Sequence, residues 1–172
     1  NHPAFYGRDL DETIKFYTEV LGMRLVLRQP NLDEPRLTHL FFSAGNGAFF
    51  AFFIPNDDGD LKLGEGSEGI GSLQHIALNL DVSIEEAVET LNRYNIKFKG
   101  PIDRGYERSL YFHDPNGIKV ELMTWKTPLS TDANEADIIA RAQEIREKEG
   151  AYNIEDEHVR LAISELGLPS PD

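Results

Sequence analysis

The chain contains no cysteine, which excludes disulfide bonds, thiolate metal sites and cysteine nucleophiles. A run of about 18 apolar residues is also missing, so no segment is expected to cross a membrane as a helix. Basic residues are scarce: the chain has 17 lysines and arginines but 30 aspartates and glutamates, which gives a formal net charge of −13. Because this charge repels a phosphate backbone, we expect no nucleic-acid partner. The lack of cysteine also fits the reducing cytoplasm, where we expect the protein.

Two parts of the chain repeat one order of predicted elements. In the first part, an extended segment over 1–8 leads into a helix over 11–21, whose apolar residues recur every three or four positions. In the second part, Ser83 and Glu86 form a capping box at the start of the helix. Strands are predicted at 23–29, 37–43, 49–54, 73–80, 96–102, 108–112 and 118–125. Each part is therefore predicted to be a β-α-β-β-β module, and the two modules are expected to pair.

Four segments follow from this repeat. They are a first module over 1–56, a glycine-rich linker over 57–72, a second module over 73–127 and a helical tail over 128–172. In the linker, Gly64, Gly66 and Gly69 have the spacing of a dinucleotide fingerprint. No helix follows them and the neighbouring glutamates would repel a pyrophosphate, so we reject that interpretation.

The tail is predicted to hold two helices, with start signals at Asp132 and Asn153. The second of these helices carries an apolar stripe that includes Val159 and Ile163. Such a stripe usually packs on its own domain, and less often covers a cleft or a partner subunit. His158, on the same helix, is expected at the surface.

Three segments resemble the vicinal oxygen chelate superfamily, which includes glyoxalase I, extradiol ring-cleaving dioxygenases, fosfomycin-resistance enzymes and bleomycin-binding resistance proteins. His2 to Gly22 is similar to the family's opening strand and helix, and His75 to Leu80 to the opening strand of its second module. Tyr111 to Glu121 is similar to the closing hairpin and is the most specific of the three. The resemblance implies an α+β fold of two paired βαβββ modules forming a curved-sheet cleft, plus a C-terminal helical extension.

The resemblance also implies a metal site. Each module of this family can offer one ligand from its first strand and one from its last, and the matching positions here are His2, His75 and Glu121. When the two Asn-Gly turns are aligned, the fourth position is Ala51, which cannot ligate. Two imidazoles and one carboxylate suit Fe(II) best, then Mn(II), with Zn(II) or Ni(II) as further candidates. Strand alternation independently turns His75 away from the aliphatic face of its strand.

The alanine at the fourth position favours a three-ligand enzyme over glyoxalase I, which commonly uses four protein ligands. We therefore prefer a ring-cleaving dioxygenase type acting on a small dioxygenated substrate, aromatic in this interpretation. The histidine that the dioxygenase signature expects before Leu110 is absent, and only His39 could replace a second proton-transfer histidine. Two alternatives stay open: a glyoxalase-like lyase, isomerase or thiol transferase, and a non-catalytic small-molecule-binding protein of the resistance type.

The remaining candidate residues would act around the metal. Tyr111 matches a dioxygenase tyrosine, so it and His39 are the catalytic candidates. Residues predicted to contact the substrate are Tyr6, Phe49, Phe53, Met123 and Arg104. Because the superfamily often forms dimers and the tail stripe offers contact surface, we expect a homodimer.

Overall fold

The computed structural model describes residues 1–45, 47–56, 61, 63–64, 66, 69–130 and 133–169. The first module contains β1 (Ala4–Tyr6), α1 (Leu10–Lys15) continued by a π-helix (Phe16–Val20), β2 (Arg24–Pro30), β3 (Leu37–Ser43) and β4 (Phe49–Pro55). The second contains β5 (Ile76–Asn79), α2 (Ile84–Arg93), β6 (Lys99–Asp103), β7 (Glu107–His113) and β8 (Lys119–Trp125). The tail contains α3 (Glu135–Glu149) and α4 (Asp156–Glu165). The predicted β-α-β-β-β order is confirmed in both modules, and the fold is α+β.

Each module builds a four-stranded mixed sheet of the same topology. The strand order is β1-β4-β3-β2 in the first sheet and β5-β8-β7-β6 in the second. By contacts, the chain divides into two compact units. The first is Asn1–Ile76, Thr90–Lys97 and Phe112–Val120, and the second is Ala77–Glu89, Phe98–Tyr111 and Glu121–Asp172. The predicted modules are continuous segments defined by a repeated order of elements, whereas these units are discontinuous and defined by contacts. The units therefore do not test the predicted module boundaries, which stay a prediction.

The first helix begins and ends as its sequence indicates, but changes its winding. Asp9 caps it by accepting a hydrogen bond from the Glu12 N–H at 2.8 Å. After Lys15 the chain winds as a π-helix, so the Leu21 N–H donates to the Phe16 carbonyl. Gly22 then takes a φ of +67°, a conformation that glycine adopts without steric cost, and ends the helix where predicted.

The first sheet has one buried aromatic face and one half-open face. Along β4, Phe50 and Phe52 are buried, whereas Phe49 and Phe53 point the other way and are half-buried. The buried face packs on Tyr17, whose ring lies 4.8 Å from that of Phe52. Strand alternation therefore separates core phenylalanines from those on the face of Ala51, as predicted.

Asp114 is the hydrogen-bonding centre of the turn between β7 and β8. Its Oδ1 accepts from the Ile118 N–H at 2.7 Å and the Asn116 N–H at 2.9 Å. Its Oδ2 accepts from the Tyr17 hydroxyl at 3.1 Å. The Asn116 side chain in turn accepts from the Arg8 N–H at 2.7 Å. The predicted Asp-Pro-Asn-Gly turn is thus fixed by a buried carboxylate rather than by backbone geometry alone.

In the second module, the predicted capping box is present. The Glu86 carboxylate accepts from the Ser83 N–H at 3.0 Å, and the Ser83 hydroxyl accepts from the Glu86 N–H at 3.2 Å. The apolar residues Leu110, Phe112, Val120 and Leu122, at even-numbered positions of β7 and β8, are buried. Odd-numbered residues form the opposite face, on which Glu121 lies.

The tail helices differ from the prediction at their caps. The cap of α3 is Asn134, which accepts from the Ala136 N–H at 3.1 Å. The cap of α4 is Glu155, so the start predicted at Asn153 was wrong. Asn134 and Glu155 each lie directly before the first residue of their helix, whereas the start signals predicted from the sequence lay two or three residues earlier. Asp132, the linker acids over 57–60 and Asn46 lie outside the described residues.

His158 was expected at the surface, and this prediction was wrong. Its side chain is buried and completes the capping box of α4, with Nδ1 accepting from the Glu155 N–H at 2.8 Å. Its Nε2 lies 3.0 Å from Glu149. The predicted apolar stripe packs within its own unit, because Val159, Ala162 and Ile163 join a buried cluster with α3 against which Tyr106 and Trp125 pack. No helix in the described part of the chain is long and apolar enough to cross a membrane.

Candidate functional site

One face of the second sheet carries four polar side chains, three of them on one strand. Glu107, Ser109 and Tyr111 alternate along β7 and so share a face, and Glu121 lies on the neighbouring strand β8. We call these four residues the polar row. Glu121 is only 5% exposed and Ser109 is 0% exposed. A buried carboxylate is expensive unless it is hydrogen-bonded, paired or bound to a metal, so its partners define the site.

One partner of Glu121 is Tyr111, the tyrosine selected as a catalytic candidate from the sequence. The Tyr111 hydroxyl donates a short hydrogen bond to Glu121 Oε1. Burial raises the pKa of Tyr111, and the hydrogen bond to Glu121 raises it further. The phenol therefore keeps its proton at neutral pH and acts as a donor to the carboxylate.

Arg104 lies beside this pair. Its guanidinium carbon is 5.4 Å from the centre of the Tyr111 ring, within the range of a cation–π contact. Its Nη2 donates a long hydrogen bond of 3.4 Å to the Tyr111 hydroxyl. Arg104 is exposed, so a positive charge stands at the open side of the polar row. Its predicted contact with substrate stays a prediction.

Glu107 is the functional candidate that sequence reasoning missed. Burial raises the pKa of its carboxyl, the negative charge of Glu121 raises it further, and Arg104 opposes both effects. The predicted strand began at residue 108 and therefore left Glu107 outside the alternation. With the strand beginning at Glu107, the spacing of four from Tyr111 would have placed both on one face.

The half-open face of the first sheet combines imidazole and phenyl rings. His39 stacks on Phe53 at 4.4 Å between ring centres and meets Phe41 at 4.5 Å. The His2 ring lies 5.0 Å from Phe41, and Phe49 stacks on Phe41 at 5.6 Å. We call these five residues the aromatic face. In register, Ala51 lies opposite both Ala4 and Phe41, so two small side chains leave room for these larger rings.

His39 has an unusual environment on the aromatic face. Its Nε2 is buried and has no hydrogen-bond partner among the described residues. Burial lowers the pKa of its imidazole, and the nearby His2 lowers it further. A neutral imidazole with an unsatisfied buried nitrogen is suited to receive or donate a hydrogen bond when a ligand arrives.

Of the other predicted residues, His2, His75 and Tyr6 lie at or next to the ends of their strands, and Met123 lies within β8. His2 precedes β1 and is exposed, with Nδ1 at 2.9 Å from Asn1 Oδ1. His75 immediately precedes β5, is half-buried and contacts the Gln74 side chain. Tyr6 is 63% exposed, with its ring 6.4 Å from that of Phe53. Met123, half-buried on β8, shares the face of Glu121.

His2, His75 and Glu121 are the metal ligands predicted from the sequence. Among the residues that the structure describes, no three His, Asp or Glu side chains lie close enough together to hold a metal ion. The chemistry of the donor set, with His2, His75 and a buried Glu121, nevertheless suits a divalent cation. The ligand set therefore stays a prediction.

The repeated topology defines a protein built from two βαβββ modules. A family model, the Glyoxalase/Bleomycin resistance protein/Dioxygenase superfamily, matches residues 1–122, and the chain belongs to this superfamily. The solved glyoxalase family protein from Enterococcus faecalis is similar at 25% identity with a TM-score of 0.58, covering 72% of this chain and 94% of that one. The resemblance drawn from the sequence is thereby confirmed.

Relatives with different named activities are similar to this chain. MhqE of Bacillus subtilis (strain 168), which carries the name of a ring-cleaving dioxygenase, is 38% identical over 72 residues, or 40% of this chain and 24% of MhqE. The lactoylglutathione lyase of Haemophilus influenzae is 32% identical over 131 residues, covering 75% of this chain and 94% of that enzyme. The chain thus spans about a quarter of MhqE.

A solved structure with a similar fold holds a metal. The fosfomycin resistance protein FosX from Listeria monocytogenes, in complex with Mn(II) and sulfate, matches with a TM-score of 0.53 at 18% identity. The match covers 72% of this chain and 89% of FosX. At this identity the likeness concerns the fold alone.

Proposed function

We propose that the protein is a metal-dependent enzyme of this superfamily, of the ring-cleaving dioxygenase type, acting on a small aromatic molecule with two adjacent oxygens. The observation that carries the proposal is the Tyr111–Glu121 pair. Glu121 is a buried carboxylate, its position matches the carboxylate ligand that the family resemblance implies, and the Tyr111 phenol donates a hydrogen bond to it. Outer partners of this kind orient metal ligands and tune their basicity.

His2, His75 and Glu121 are the proposed metal ligands, with Fe(II) as the preferred metal and Mn(II) next. When bound, the metal would supply Lewis-acid or oxygen-binding chemistry to a substrate with two adjacent oxygens. The Mn(II) held by a protein of the same fold supports a divalent ion in general terms.

The aromatic face supports an aromatic substrate. Phe41, Phe49 and Phe53 are each half-buried, so their ring faces and edges remain partly available. Planar rings stack favourably on such side chains, and the orphan Nε2 of His39 offers a polar contact to a phenolic oxygen. This is the kind of lining that substrate pockets use, mostly apolar with few polar groups.

The charges of the polar row favour the dioxygenase type over the lyase type. Glu107 and Glu121 share this face, and the positive charge of Arg104 acts on Glu107. A glutathione adduct carries carboxylates that two glutamates would repel, whereas a neutral catechol meets no such penalty. The lyase alternative keeps its own support, because the chain matches nearly the whole length of a lactoylglutathione lyase.

The homodimer expected from the sequence stays a prediction.

Oxygen uptake separates these functions. Metal-free protein should be loaded anaerobically with Fe(II) or Mn(II) and then mixed with a panel of catechols in aerated buffer. We expect one O₂ consumed per ring-cleavage product formed, with none in the metal-free control.

Other outcomes would point elsewhere. Loss of a methylglyoxal–glutathione hemithioacetal without O₂ uptake would establish the lyase alternative and overturn the dioxygenase proposal. Ligand binding that survives chelation, with neither reaction, would establish a non-catalytic binding protein.

A further inference from the structure

The C-terminal tail packs on the second module at the end where β8 finishes. The apolar cluster of α3 and α4 packs against Tyr106 and Trp125, whose ring centres are 5.1 Å apart. The Thr127 hydroxyl donates to Asp156 Oδ1 at 2.7 Å and accepts from Arg160 Nε at 3.0 Å. The tail is therefore held to this end of the module by both apolar and polar contacts.

The turn between β6 and β7 contacts the tail as well. Gly105 lies in this turn with a φ of +92°, and a Cβ atom added here would collide with the Ile154 carbonyl oxygen. The same Cβ would lie 3.0 Å from the Glu155 carboxylate. Glycine thus allows the loop between α3 and α4 to approach the backbone of the turn closely. This contact adds a second fixed point between the tail and the module.

The tail covers one end of the face on which Glu121 lies. Glu121, Met123 and Trp125 alternate along β8 and so share a face. Alternate residues of a strand are about 7 Å apart, so Trp125 lies about 14 Å from Glu121 along β8. The match to the family model ends at residue 122, so Trp125 and the tail lie beyond it. The contact of the tail with this face is therefore an addition to the part that defines the family.

A residue of the tail reaches the same face nearer to Glu121. The Leu80 N–H donates to the Met123 carbonyl at 2.9 Å, and the equivalent strands of the first sheet are parallel, so Asn79 lies beside Met123. Asn79 Nδ2 donates to Glu135 Oε1 at 2.7 Å. Glu135 is the first residue of α3. The Asn79–Glu135 pair therefore stands about 7 Å along the sheet from Glu121.

The surface between Glu121 and this pair is low and accessible. In the same register Ala77 lies beside Glu121, and its small side chain is exposed. Met123 is half-buried, whereas Asn79 and Glu135 are both exposed. The pair thus forms a raised edge at the end of a shallow surface whose length is about that of a single aromatic ring.

We propose that the Asn79–Glu135 pair limits the substrate to a single ring, and that Glu135 is a specificity-determining residue supplied by the tail. The inference rests on the proposed function, because it defines the substrate class of that site as monocyclic catechols without a bulky substituent. One ring fits the space between Glu121 and the pair, whereas a second ring or a branched alkyl group collides with it. The packing of the tail on Trp125 keeps the pair in place.

Glu135→Ala tests this proposal, because it removes the side chain that closes the surface. The substrates are catechol, 3-phenylcatechol and 4-tert-butylcatechol, which place their bulk at different ring positions. We expect kcat/KM for at least one of the two larger catechols to rise about 10-fold relative to that for catechol. Asn79→Ala should act in the same direction, because it releases Glu135. Glu135→Gln keeps the size and the hydrogen-bond acceptor, so it should keep the selectivity of the wild type.

Three further measurements separate the size limit from indirect effects. Asp137→Ala is the matched control, since Asp137 is the other exposed acid in the first turn of α3, and its selectivity should equal that of the wild type. Trp125 is the only tryptophan and packs on the tail, so its emission spectrum reports whether the tail stays in place in each variant. Calorimetric titration of the metal-loaded protein with the same catechols, without oxygen, measures the selectivity independently of turnover.

The outcomes distinguish the size limit from the proposed function. Unchanged selectivity in both Glu135→Ala and Asn79→Ala, in turnover and in binding, would overturn the size limit. An equal gain in Asp137→Ala, or a wild type that accepts the larger catechols as readily as catechol, would also overturn it and leave the function intact. Selective binding of catechol without metal-dependent turnover, with the same gain in Glu135→Ala, would overturn the dioxygenase function and support the size limit. A wild type that neither binds nor turns over any catechol would overturn both.

Discussion

Glu121→Gln is expected to abolish metal-dependent turnover and to weaken metal binding by more than the roughly 10- to 100-fold that loss of an outer partner costs. Glutamine fills the same space but lacks the negative charge that holds a divalent cation. The metal content of protein purified without an affinity tag, and titration of the metal-free protein with Fe(II) or Mn(II), provide the measurement. His2→Ala and His75→Ala should have effects of the same kind.

Two variants control for indirect effects. Tyr111→Phe removes the hydroxyl that donates to Glu121 but leaves the carboxylate, so metal binding should weaken by at most about 10- to 100-fold. His39→Gln removes an imidazole that is not a proposed ligand, and metal content should stay at the wild-type level. Metal content in Glu121→Gln equal to that of the wild type would remove the carboxylate from the ligand set.

Local patterns predicted much of the architecture. Periods of two and of 3.6 residues gave the β-α-β-β-β order, and the paired turns placed Glu121 on β8 with Ala51 at the equivalent position of β4. Alternation also placed Phe49 and Phe53 away from the core. These features depend on neighbours within one strand or helix, which a sequence shows directly.

What the sequence did not predict depends on other contacts. Glu107 was missed because a strand boundary was one residue late. His158 was misplaced because its burial depends on packing between α3 and α4, which the helix's own period does not reveal. The His39 Nε2 has no hydrogen-bond partner among the described residues, and the rings of Phe41 and Phe53 pack against the imidazole. The sequence predicted the types of the elements correctly. It did not predict the exact start of a strand or the contacts between residues far apart in the chain.

The second large effect concerns stability. Asp114→Ala is expected to lower the free energy of unfolding by about 3 to 5 kcal/mol, because it deprives several donors of their acceptor at a cost of about 1 to 3 kcal/mol for each one left buried. Asp114 is 5% exposed and accepts from two backbone N–H groups and the Tyr17 hydroxyl. Urea denaturation of the wild type and the variant measures the difference. Asp103→Ala is the control, since that exposed aspartate pairs with Lys126 and should change stability little.

The same aspartate gives stability a definite dependence on pH. Burial raises the pKa of Asp114, while its hydrogen bonds to Ile118, Asn116 and Tyr17 oppose that effect. A carboxyl whose pKa is higher in the folded state than the unfolded value of about 3.9 binds its proton more tightly when folded. Its contribution to stability is therefore full below pH 3.9 and is lost as pH rises through the folded pKa.

Asp114→Asn isolates this contribution, because asparagine keeps one acceptor oxygen and does not titrate. We expect the stability of the wild type relative to Asp114→Asn to decrease as pH rises from about 3.9, and to level off above the folded pKa of Asp114. Other carboxyls titrate in the same range, but they are shared by both proteins and cancel in the difference. A difference that stays constant, or that grows with pH, would mean that hydrogen bonds rather than burial dominate the energetics of Asp114.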